Sequence, residues 1–106
     1  MASEAEALLA WQLDSEGIAY QREFPVCAGR RFRFDFAFPE KHLACEVDGG
    51  VWHGGRHTSG AGYVRDCEKA NLAAIGGWRV LHVIPQWVKS GEALKIIEQA
   101  LGRLQL

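Results

Sequence analysis

The chain has 106 residues, is 48% apolar and 24% charged, and carries a formal net charge of −1. That composition suits one small globular domain, 1–106, and argues against a disordered chain. No apolar run reaches the ~18–20 residues of a membrane span, and the opening Met-Ala-Ser-Glu-Ala-Glu is acidic where a signal peptide would be basic, so a cytoplasmic chain with no membrane partner is expected. Taken in chain order, Ser3-Glu-Ala-Glu6 is a capping box, and Ala7 to Glu16 is rich in helix formers up to Gly17. Ile18 to Phe24 reads as a strand, followed by a turn through Pro25 and Gly29. A second strand, Arg31 to Phe38, has Phe at every second position, which predicts that Phe32, Phe34, Phe36 and Phe38 share one face. A turn around Pro39-Glu-Lys-His42 leads to a third strand from Leu43 to Asp48. Six glycines in residues 49 to 62 mark a loop. Tyr63 to Ile75 is helical and closed by Gly76-Gly77. Trp78 to Ile84 is an apolar strand that Pro85 ends. Ser90 can cap a last helix, with Leu94, Ile97, Leu101 and Leu104 at helical spacing.

This order predicts an α/β (α+β) fold, an αβββαβ core whose mixed sheet is flanked by helices, with one further C-terminal helix. The charge is unevenly spread. Residues 1 to 17 hold four acidic groups and no basic one, while the remaining 89 hold 12 basic against 9 acidic. Cys27, Cys45 and Cys67 have no CxxC spacing, so they read as small apolar residues in a reducing compartment.

The informative feature is a set of carboxylates inside apolar strands. Strand alternation puts Glu46 and Asp48 on one face, and the expected hairpin sets Asp35 beside them. Clustered carboxylates repel, so a cation should join them. A hard Mg²⁺ ion, with Mn²⁺ able to substitute, takes an oxygen shell of two or three carboxylates and a carbonyl. Asp35, Glu46 and the Val47 carbonyl can supply that shell, and Asp48 is available for a second ion or for orienting water. Glu6, three and seven residues before Leu9 and Leu13, faces the sheet. Beside such a centre, flanking arginines point to phosphodiester chemistry. Arg22, Arg30, Arg31 and Arg33 make a basic track, and the glycine-rich loop adds Trp52 for base stacking, Arg56 for phosphate, and His53 and His57. His53 is a candidate proton shuttle. Zinc on His53, His57 and Cys67 would lack a helix to fix its geometry. His42 and His82 receive no role.

These residues resemble the PD-(D/E)XK nuclease superfamily, and more closely its small branch related to very-short-patch-repair endonucleases. The shared pattern is Asp35 on the second strand, Glu46-Val-Asp48-Gly49 on the third, then His53, Asp66 with Lys69, and Gly77-Trp78 opening a strand. It runs from about Glu6 to Val88. The resemblance implies a restriction-endonuclease-like fold and a metal-dependent DNA endonuclease, in repair, recombination or phage DNA processing. It also implies that Glu6 completes the metal site. Asp48 stands where the superfamily has Lys, and Lys69 can take over that role. Phe34, and not Pro, precedes Asp35.

DNA is the expected partner. A homodimer through the last helix, Trp11 and Trp87 would place two sites on two strands, and a helicase or another DNA-processing protein could work beside so small a nuclease. The competing reading is a non-catalytic DNA-binding module that keeps the fold, for which Asp48 in place of Lys is the best argument. A purely structural protein would leave the acid cluster unexplained.

Overall fold

In the computed structural model, which describes residues 3–49 and 60–104, the first helix begins where the capping box predicts. α1 spans Glu4–Ser15, and the Ser3 Oγ accepts a hydrogen bond from the Glu6 N–H at 3.1 Å, satisfying one orphan donor of the first turn. At its other end Gly17 turns left-handed (φ +68°) and the Ile18 N–H donates back to the Leu13 carbonyl at 3.0 Å, a closure that glycine permits without strain.

Four strands follow: β1 (Gln21–Pro25), β2 (Arg33–Phe38), β3 (Leu43–Val47) and β4 (Arg79–Val83). They form one sheet in the order β1-β2-β3-β4. The first two pairings are antiparallel, and β4 runs parallel to β3. A parallel neighbour requires a crossover, which the helix α2 (Gly60–Ile75) supplies. A single 3₁₀ turn at Pro39–Lys41 joins β2 to β3. Two further helices, α3 (Pro85–Ser90) and α4 (Glu92–Ala100), complete the described chain. The expected mixed sheet between helices is therefore present. No helix among the described residues is long and apolar enough to cross a membrane.

The helices make two unequal layers. On one face Leu9 and Leu13 of α1, Val88 of α3 and Ile97 of α4 close over Phe36, Phe38, Leu43, Cys45 and Val83. Each fully buried side chain of this kind contributes roughly 1.5–3 kcal/mol. On the other face α2 is the helix that supplies cover among the described residues, with Ala73 and Leu72 against Phe34, Ala37, Ala44 and Val80. Trp78 anchors that smaller core, its ring centroid 4.9 Å from Phe34, 5.5 Å from Phe24 and 5.2 Å from His42.

Several expectations need correction. The four phenylalanines do not share a face: Phe32 and Phe34 join the α2 side, and Phe36 and Phe38 the α1 side. Arg22 and Phe24 part in the same way, the Arg22 guanidinium lying 4.6 Å over the Phe36 ring while Phe24 meets Trp78. Both strands turn over at the step where Glu23 faces Asp35. Glu23 has φ +51° there, a left-handed conformation that an L side chain adopts at a cost. Ile18 packs into the core before β1 begins, and Trp78 precedes β4. Pro85 ends β4 and also starts α3, because a proline at the first helical position loses no hydrogen bond. Gly91, not Ser90, is the N-cap residue of α4, although the Ser90 Oγ still accepts from the Glu92 N–H at 3.3 Å. Leu104 lies beyond α4 and is exposed.

The split of the phenylalanines gives a direct test by urea denaturation. Phe34→Leu and Phe36→Leu should each cost about 1–1.5 kcal/mol. Because the rings sit in separate cores, the double variant should cost the sum to within about 0.5 kcal/mol. A larger coupling would mean that the two rings share one packing environment.

Candidate active site

The expected carboxylates meet where β2 and β3 run together. The Asp35 N–H donates to Glu46 Oε2 at 2.9 Å, and the Val47 N–H donates to Asp35 Oδ2 at 2.8 Å. Each acid thus accepts a backbone donor from the opposite strand, in place of the ordinary ladder bond. The remaining Glu46 oxygen, Oε1, pairs with the Lys69 ammonium, brought in by α2. Glu46 is the buried charged residue among those described, at 8% exposure.

Glu6 reaches Asp35 from α1. Its backbone joins the capping box, but its carboxylate turns to Arg22, with Oε1 2.9 Å from Nη2. Carboxylate oxygens of Glu6, Glu23 and Asp35 lie within 4.8 Å of one another. Asp35 therefore links two groups, Glu6 with Glu23 on the α1 side and Glu46 with Lys69 on the α2 side.

Burial is the main reason these acids resist ionisation. It pushes Asp35 and Glu46 above the usual carboxylate range, opposed by the Val47 and Asp35 N–H groups and by Lys69. Glu6 is raised by burial and then by the nearby Asp35 charge, with Arg22 pulling the other way. A cation relieves such a cluster. The donors are all oxygen and partly desolvated, which fits a hard divalent ion such as Mg²⁺ or Mn²⁺ and suits soft metals poorly.

Beside this cluster an open cleft of about 600 Å³ runs along α2 and β4, lined among others by Glu46, Asp48, Asp66, Lys69, Trp78 and His82. Asp48 projects into it and meets His82, Oδ2 to Nδ1 2.7 Å. That contact is the leading cause of a raised His82 pKa.

The other candidates are more scattered. Arg31, just before β2, and Arg33, its first residue, are exposed, and Arg33 Nη1 donates to the Glu23 carbonyl at 3.2 Å. Arg30 pairs with Glu68 at 3.5 Å and covers the Phe32 ring. Trp52, His53, Arg56 and His57 lie outside the described residues. Two site residues escaped the sequence reading. Glu23 shows its position only through the β1–β2 register, which sets Arg22 opposite Phe36 and Phe24 opposite Phe34. His82 shows its position only through the parallel register that pairs it with Glu46.

No protein-family model matches the chain, and no curated protein matches its sequence significantly. Among solved structures it is similar to the catalytic domain of the homing endonuclease I-Bth0305I, with a TM-score of 0.66 over 98% of this chain and 100% of that one. The two share one fold. Sequence identity is 19%, so the likeness is one of architecture.

Raised acids make a prediction with a definite sign. A group whose folded pKa lies above its unfolded value contributes stability below about pH 4, the unfolded range, and loses it as pH rises through the folded value. The three acids therefore oppose folding at neutral pH. Asp35→Asn keeps an acceptor for the Val47 N–H and removes one charge. It should raise the melting temperature at pH 7 by about 2–5 °C and flatten its rise on acidification. An unchanged or lower melting temperature at pH 7 would show that burial does not disfavour the Asp35 charge.

Proposed function

We propose that the chain is a metal-dependent DNA endonuclease, a phosphodiester hydrolase whose centre lies between β2, β3 and the first two helices. The observation that carries this reading is the crosswise Asp35–Glu46 pair with Lys69 set against it. Two desolvated carboxylates and an ammonium from a third element are a costly arrangement for a fold to keep without a use. The fold shared with an endonuclease catalytic domain adds support.

Asp35, Glu46, the Val47 carbonyl and Glu6 would hold Mg²⁺. Bound there, the ion supplies Lewis acidity toward a phosphate oxygen and lowers the pKa of a bound water. The chain's own groups do the rest. The Val47 and Asp35 N–H groups fix the two carboxylates so that their remaining lone pairs have a set direction. Lys69, a quarter exposed at the cleft, holds positive charge where a scissile phosphate would enter, and can share its donors between Glu46 and that phosphate. Arg22 holds Glu6 in place. His53 is assigned the proton shuttle on the sequence resemblance.

A second reading, a DNA-binding module without catalysis, draws on Asp48 standing where related enzymes carry Lys. The two part on one experiment: cleavage of labelled duplex, single-stranded, flap and four-way-junction DNA with Mg²⁺, Mn²⁺ or EDTA. The nuclease reading expects cutting only with metal, its near-complete loss in Glu46→Gln, and a fall of about 10²–10³-fold in Lys69→Ala. Binding to all four substrates with no cleavage under either metal would favour the module.

A further inference from the structure

We propose that His82 is a DNA-phosphate contact of this cleft, with Asp48 as the residue that positions it; the assignment rests on the nuclease reading above. Three observations carry it. First, the parallel register sets His82 directly beside Glu46 on neighbouring strands, so its ring lines the same cleft as Glu46 and Lys69. Second, Asp48 Oδ2 takes Nδ1 at 2.7 Å, which fixes the ring and leaves Nε2 without a hydrogen-bond partner among the described residues. Third, the side chain is 62% exposed, so an incoming phosphodiester can reach it without rearrangement of the core.

The geometry also indicates what kind of ligand suits the site. With Nδ1 held by Asp48, Nε2 is the ring nitrogen left for the cleft where Lys69 already lies, and a ring N–H there finds its natural acceptor in an oxyanion. Asp48 thus gains a role different from metal binding. Its carboxylate orients the ring toward the substrate.

The test measures binding of a short fluorescein-labelled duplex by anisotropy, across a salt series, with Ca²⁺ present in place of Mg²⁺. His82→Ala should weaken binding about 10-fold and reduce the slope of log K against log salt by about 0.9, the signature of one lost phosphate contact. His82→Arg should restore both, which a merely structural histidine would not allow. Asp48→Asn separates positioning from bulk charge. Removing an acid beside DNA should tighten binding on charge alone, whereas the proposal expects weaker binding, and no further loss in the His82→Ala background. Wild-type slope and affinity in His82→Ala, or tighter binding in Asp48→Asn, would overturn the proposal while leaving the nuclease reading intact. Absence of both DNA binding and cleavage in the wild type would remove the nuclease reading, and this assignment with it.

Discussion

Two hydrogen bonds hold the centre of this molecule together, and both run from a backbone amide of one strand to a carboxylate of the other. The Asp35 N–H points at Glu46, and the Val47 N–H points at Asp35. Buried amides must find partners. At this end of the hairpin the partners are side chains, so the charges that resist burial are the same groups that finish the sheet. Lys69 then neutralises the deeper of the two acids from α2. The need to satisfy the strands and the need to gather oxygen ligands are met by one pair of residues.

The turnover of β1 and β2 makes this convergence geometric as well as electrostatic. A regular strand would present Phe34 and Phe36 to one layer and Asp35 to the other. With the step at Glu23 left-handed, the sheet changes sides at Asp35. That residue can then reach Glu6 of α1 and the backbone of Val47 together. Backbone strain of this kind, placed at the acids and away from the main core, fits the general tendency of functional sites to hold unfavourable local geometry.

The sequence made the Asp35–Glu46 pairing legible because a short turn joins their strands. With Pro39 to His42 as the bend, counting outward sets the two acids side by side. Glu23 was beyond such counting, since the connection through Pro25 and Gly29 has no tight-turn signature and leaves the register free. His82 was hidden for another reason: a parallel neighbour follows a long crossover, so nothing local states which residue it meets. The alternation of phenylalanines was misleading because it describes a regular strand, and the irregularity comes from a glutamate on the adjacent strand. Pro85 is ambiguous by nature, since the residue that stops a strand also opens a helix.

The crosswise bonds bear on how such a fold can drift. A descendant that abandoned catalysis would still need acceptors for the Asp35 and Val47 amides, so it could not simply discard the acids. Asn and Gln, which keep an acceptor oxygen, are open to it; Ala and Val leave a donor stranded. An acceptor at each of these two positions is therefore a poor witness to a working enzyme, because architecture alone would preserve one, whether charged or neutral. Lys69 is the better witness. It completes no strand, and once cleavage ceased to matter the sheet would have no reason to keep an ammonium beside Glu46, since a glutamine at that position would serve the Asp35 amide as well.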